Sequence, residues 1–183
     1  MRVAIASIAL TLAIAAPAVA EPLPPGSLGL FFGGVAGTGA DADSVGLGVV
    51  EIGFAAAWQP MSTEQRTNWA IKASISWDQM NDLNPTALGT ELRFTQLDLM
   101  PGIRFRPGES RAGYFTLRAG GTLLRSNQVI PGHTGRAFAG AVASVGYDWY
   151  LWGVLFNLDA RYSVMGSGPT MVGLNIGISL TGP

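Results

Sequence analysis

The chain has 183 residues, 48% of them hydrophobic and 13% charged, with a net charge of −1 and no cysteine. The charged share is about half the roughly 25% of ordinary soluble domains, and a near-zero balance excludes the basic footprint of a nucleic-acid-binding protein. Without cysteine there are no disulfides, no thiolate metal sites and no lipid-modified N-terminal cysteine.

Residues 1–20 read as a secretory signal peptide: Arg2 gives a positive start, Ala4 to Ala16 is apolar, and Ala18-Val19-Ala20 is a small-x-small cleavage site. The apolar run is shorter than the roughly 20 residues a spanning helix needs. A Pro-rich lead covers 21–27, and the remainder divides into eight alternating segments over 28–180, with 181–183 as a tail.

The first predicted strand is Leu28 to Ala36, Gly-rich and the least regular. A polar loop, Gly37 to Ser44, carries Asp41 and Asp43. The second strand, Val45 to Trp58, sets Val50, Ile52, Phe54, Ala56 and Trp58 against Val49, Glu51, Gly53, Ala55 and Ala57. Such alternation belongs to a strand, whose successive side chains leave on opposite faces. The third puts Trp69, Ile71, Ala73, Ile75 and Trp77 on one face and Ala70, Lys72, Ser74, Ser76 and Asp78 on the other.

After a loop at 79–89, the fourth strand spans Thr90 to Phe105, with Leu97, Leu99, Pro101, Ile103 and Phe105 opposing Gln96, Asp98, Met100, Gly102 and Arg104. Pro101 cannot donate to a ladder and marks a possible bulge that would shift this parity. Pro107-Gly108-Glu109-Ser110 is a tight turn. The fifth strand sets Phe115, Leu117, Ala119, Gly121 and Leu123 against Tyr114, Thr116, Arg118, Gly120 and Thr122.

A loop at 126–135 holds Pro131 and His133. The sixth strand, Arg136 to Trp149, turns Ala139, Ala141, Ala143, Val145, Tyr147 and Trp149 to one side. A connection near Tyr150 to Trp152 leads to the seventh, where Val154, Phe156, Leu158, Ala160, Tyr162 and Val164 oppose Asn157, Asp159, Arg161 and Ser163. The last turn is Gly166 to Pro169. The eighth strand, Met171 to Leu180, places Val172, Leu174, Ile176, Ile178 and Leu180 opposite Met171, Gly173, Asn175, Gly177 and Ser179.

Three features place the apolar face outward. The polar face is the small one, and an eight-stranded barrel leaves just enough interior for side chains to fill. Aromatic residues gather near strand ends on the apolar face, where lipid-facing strands carry interfacial girdles: Trp58, Trp69, Trp77, Phe105, Phe115, Tyr147 and Trp149. A soluble barrel also needs a better charged exterior.

With its leader, eight alternating segments and apolar-outward final strand, the chain resembles the small eight-stranded outer-membrane barrels, the OmpA/OmpX-like group. The resemblance implies an all-β, antiparallel up-and-down transmembrane barrel, exported to the outer membrane, with a periplasmic lead. It also implies contact with the barrel-assembly machinery during biogenesis. Members typically end on an aromatic residue, whereas this chain ends Leu180-Thr181-Gly182-Pro183.

The inward parity carries Glu51, Lys72, Asp98, Arg104, Arg118, Asp148, Asp159 and Arg161, four of each sign. Confined charges must pair or be hydrated, so a polar plug is expected, the alternative being a narrow charged water path. Arg93 and Arg125 come together at the rim if strands four and five fold back about Glu109. Like charges so close suit an intervening phosphate, so lipopolysaccharide is an expected ligand; Glu91 is the alternative ion-pair partner.

His133 is the only histidine and reads as an exposed loop residue without a clustered Ser-His-acid set, so no enzyme is expected. No metal or cofactor is expected either, since one His and no Cys cannot build a typical transition-metal site, and Asp41 and Asp43 read as a solvated loop. The functional expectation is a monomeric, non-enzymatic outer-membrane barrel with a structural or loop-mediated role. The alternatives are a minor channel for small or apolar solutes, or a soluble lipocalin-like carrier.

Overall fold

Alternation produces eight strands that have only one another to pair with. The computed structural model describes residues 26–45, 47–58, 67–81, 92–106, 113–151 and 154–181. The strands are β1 (Gly26–Gly37), β2 (Leu47–Trp58), β3 (Thr67–Asn81), β4 (Leu92–Phe105), β5 (Gly113–Ser126), β6 (Ala137–Leu151), β7 (Val154–Met165) and β8 (Thr170–Thr181). Each pairs antiparallel with the next, and β8 returns to β1 from Ser27↔Thr181 to Gly37↔Met171, closing an up-and-down barrel. Closure removes the unpaired edges an open sheet would present. Among the described residues no helix is long and apolar enough to cross a membrane.

β1 begins and β8 ends at one end of the barrel, the terminus end. The segments 38–45 and 127–136 and the turn 166–169 lie at the other, the loop end. The chain between β1 and β2 is not the plain polar loop expected. It forms a 3-10 turn, Gly39–Asp41, then a helical turn, Ala42–Val45. Val45 therefore leaves the second strand, and its side chain is buried among apolar groups at the barrel mouth. That burial outweighs the β-propensity of valine. β6 likewise runs on through Tyr150 to Leu151, where a connection was expected.

The bulky face points outward. Leu99, Leu123, Leu174 and Ile178 are exposed, and Ile176 is 40% exposed; Ile71 and Phe156 are half-buried on that same outer surface. The interior takes the small and polar set, including Ser74, Ser76, Gln96, Thr116, Thr122 and Asn175. Gly53 illustrates the tightness: a Cβ there would strike the Phe31 ring and the Ile75 carbonyl.

Pro101 causes no bulge. Pairing of β4 with β5 lapses at Met100 and Pro101 and resumes in the same register at Gly102↔Arg118, so the parity of β4 survives. Gly120 accommodates the lapse, because a Cβ at that position would collide with the Leu99 carbonyl and approach the Met100 Cα at 3.0 Å. The real register shift is in β2, where one extra residue is inserted between Gly48 and Glu51 relative to both neighbours. Gly120→Ala should therefore force β4 from β5 and cost about 1–3 kcal/mol, the usual overpacking penalty. A lower temperature for loss of compact, heat-modifiable gel migration would register it.

Candidate functional site

The lumen gathers all eight charged residues read from the inward parity, and it sorts them along the axis. Towards the loop end, Arg161 is the hub: Nη2 lies 2.6 Å from Glu51 Oε1 and Nη1 3.0 Å from Asp98 Oδ2. Gln96 Nε2 donates to Asp98 Oδ1 at 2.8 Å and to Thr122 Oγ1 at 3.0 Å. Asp78 also belongs here, which makes five carboxylates against four cations among the described residues rather than an even count. It sits directly across from Glu51 on the β2–β3 ladder. It is 2% exposed, and neither carboxylate oxygen has a hydrogen-bond partner among the described residues.

Towards the terminus end the balance reverses. Lys72 Nζ lies 2.5 Å from Asp159 Oδ2, Arg104 Nη2 2.7 Å from Asp148 Oδ2, and Arg118 bridges both carboxylates at 3.3 Å. Asn157 Nδ2 donates to Asp148 Oδ1 at 2.5 Å. Lys72 also stands over the Phe31 ring, 5.8 Å from its centroid. The strands put these groups here by parity alone, since every second residue faces the axis.

Above the charges lies an apolar layer that the strand pattern did not reveal. Val35, Phe94, Leu124, Phe138, Met165 and Met171 point inward from the strands, and Val45 and Ile130 fold in from the loops to complete one cluster. Ile130 is fully buried although it lies in a loop. Its neighbours in sequence, Pro131 and an exposed Val129, give no periodicity by which to recognise it.

His133 is not the free loop residue expected. Its Nε2 lies 2.7 Å from Asp41 Oδ1 and its Nδ1 3.0 Å from the Ser167 carbonyl oxygen. Asp41 Oδ2 in turn accepts the Thr170 N–H at 2.9 Å. One imidazole and one carboxylate thus tie together three segments of the loop end, and Asp41 is part of this clasp rather than a solvated loop. Both ring nitrogens are engaged, one by a carboxylate and one by a backbone carbonyl. Asp43 lies where no side chain is described. Among the described residues no three His, Cys, Asp or Glu side chains gather to hold a metal.

The outward aromatics fall in two sets. At the terminus end, Trp58 packs edge-on to Trp69 at 5.0 Å, and Phe105, Phe115, Tyr147, Trp149 and Phe156 contact one another in sequence across β4 to β7 at 5.0–5.9 Å. Nearer the loop end, Trp77 meets Phe54 at 6.0 Å. At the loop-end rim, Arg125 faces Thr95 in the ladder. Arg93 is held at its backbone by Asn127, whose N–H donates to the Arg93 carbonyl and whose Oδ1 accepts the Arg93 N–H. Arg93 and Arg125 are therefore diagonal neighbours, both exposed, and the exposed Arg136 adjoins them. Glu91 lies outside the described residues.

Three solved structures share this architecture over nearly their whole lengths. Ail, the attachment invasion locus protein of Yersinia pestis, aligns at a TM-score of 0.51 and 16% identity over 85% of this chain and 95% of its own. Neisserial surface protein A aligns at 0.55 and 11% identity, over 86% and 96%. The fold is that of the small eight-stranded outer-membrane barrels. OprG of Pseudomonas aeruginosa, an outer membrane protein, aligns at 0.50 and 12% identity, over 88% and 98%. No protein-family model and no curated protein matches the sequence.

Because Arg161 is the ion-pair partner of both Glu51 and Asp98, Arg161→Ala should leave two buried carboxylates without a matching charge and cost about 3–5 kcal/mol. Combining it with Glu51→Gln and Asp98→Asn should recover much of the loss. Urea midpoints of the single and triple variants in lipid vesicles measure both.

Proposed function

We propose that this protein is a non-enzymatic integral outer-membrane barrel with a closed polar lumen, acting structurally or through its loop end. One observation carries the reading: the bulky apolar face is the outer face, and ion pairs fill the interior. In hydrocarbon every backbone polar group needs an internal partner, and a closed barrel supplies them all. A lipocalin-like carrier needs the reverse, an apolar cavity. Outer-membrane location and export by the leader follow from this reading, as does handling by the barrel-assembly machinery. Fractionation with the outer membrane and heat-modifiable migration are the outcomes expected.

Closure is supported from two directions. The apolar layer around Ile130 and Val45 caps the loop end, and the ion pairs below it occupy the axis. In planar bilayers both the wild type and Arg118→Ala should give silent traces. Unitary steps in the wild type would favour the alternative, a minor channel for small solutes.

The rim supports a lipid partner. Arg93, Arg125 and Arg136 are exposed on neighbouring strands and loop, and guanidinium groups suit bidentate contact with phosphate. With termini in the periplasm this rim meets the outer leaflet, so lipopolysaccharide phosphate is the proposed ligand. Arg93→Ala/Arg125→Ala should weaken lipopolysaccharide binding about tenfold or more, at about 1.4 kcal/mol per decade. Unchanged binding would remove this partner.

A further inference from the structure

The loop end is tied by a contact whose donors and acceptors balance only with an extra proton. We propose that the His133–Asp41 pair is a proton-binding site that latches Ile130 into the mouth of the barrel. The latch closes when the pair takes up one proton and frees the loop 127–136 when that proton leaves. It stands on the geometry of the loop end and not on lipid binding at the rim.

Hydrogen-bond chemistry is the first argument. The Ser167 carbonyl oxygen can only accept, so His133 Nδ1, 3.0 Å away, carries a hydrogen. In neutral imidazole that leaves Nε2 with a bare lone pair. Nε2 lies 2.7 Å from Asp41 Oδ1, and an ionised carboxylate has nothing to donate. Two lone pairs at that distance repel, so a proton must lie between them. Whichever atom carries it, the closed pair holds one proton more than a neutral histidine and a free carboxylate.

The surroundings are the second. Asp41 Oδ2 accepts the Thr170 N–H at 2.9 Å, and the Asp41 N–H donates to the Thr38 carbonyl at 3.1 Å, so the carboxylate is held in place. The imidazole meets Asp41 from the first loop, Ser167 from the turn 166–169 and the Phe138 ring of β6, and of these only Asp41 ionises. The one charged residue of its own loop is Arg136, which is exposed. The His133 and Asp41 side chains are 14% and 16% exposed, so water is a poor substitute for either partner.

Coupling to the lumen is the third. The His133 N–H donates to the Ile130 carbonyl at 3.0 Å across Pro131 and Gly132, with Gly132 at φ 83°. Proline sets one central position of this turn and glycine suits the left-handed other, so the turn moves as a unit. Its first residue, Ile130, is fully buried and completes the apolar layer over the ion pairs. Releasing His133 therefore unseats the residue that closes the mouth. Because the closed form holds the extra proton, closure is favoured as pH falls and lost as pH rises. Histidine is the side chain that makes this exchange near physiological pH.

The chain has no cysteine and a single histidine, which makes each half of the latch separately visible. In refolded protein in lipid vesicles, Ile130→Cys is labelled with a charged thiol reagent from about pH 5 to about pH 9. Val129→Cys, at a position 46% exposed, corrects for thiolate chemistry. The ratio of the two rates should rise about tenfold or more toward the alkaline end, one proton allowing up to about tenfold per pH unit. Nitrogen NMR of the unaltered protein should show His133 with both ring nitrogens protonated at the acid end and one at the alkaline end.

Asp41→Asn separates the latch from general loosening. An asparagine amide donates to neutral Nε2 while its carbonyl still accepts the Thr170 N–H, so Ile130→Cys in that background should stay protected at alkaline pH. A rate ratio that is flat with pH would overturn the proposal. So would alkaline labelling as fast in the Asp41→Asn background as without it, or a His133 ring that carries one proton throughout.

Discussion

Eight strands closed into a ring leave an interior so narrow that side chains alone fill it. Everything distinctive here follows from that confinement. The outer wall has unlimited room and takes Leu, Ile, Phe and Trp, whereas the middle of the inner wall takes glycine, serine and a few long charged groups. The larger inward side chains, Phe94, Phe138 and Met171 among them, gather in one apolar layer at the loop end. Once charges enter so tight a space they cannot be left to solvent, and Arg161, Arg104 and Arg118 each meet at least one carboxylate at 2.6–3.3 Å. Backbone closure and charge matching are therefore two faces of one geometric limit.

The strands, their order and their parity were legible in the sequence because each rests on a period of two that survives any tertiary detail. β8 is the clearest case, with Val172 through Leu180 alternating without exception. Parity also suffices to put Glu51, Lys72 and Arg161 on the axis, although it cannot say which meets which. Partner choice depends on the stagger between strands, and stagger is set by closure and by the extra residue in β2 between Gly48 and Glu51. Asp78 was visible on the inward face of the third strand, yet its place beside Glu51 emerges only from the register.

The loop end was hardest to read, for a physical reason. Ile130 and Val45 are buried in a cluster assembled from β1, β4, β5, β6, β7 and β8, and nothing in the adjoining sequence marks them. His133 and Asp41 are 92 residues apart in sequence, a pairing that no spacing rule anticipates. Pro101 misleads in the other direction: alone it suggests a bulge, but Gly120, across from the preceding Met100, lets the strands pass without one. The signal lay in the pair of positions, and the pair is defined only by the fold.

The bond from the Thr170 N–H to Asp41 spans 129 residues, from the start of β8 back to the first loop. It joins the segments that precede and follow the seam where the ring closes. A chain whose first seven strands are in place still lacks this acceptor–donor match, so its opening turn has no anchor on that side. The turn around Asp41 is thus coupled to closure of the ring, since parting β8 from β1 removes one of the contacts that hold its carboxylate.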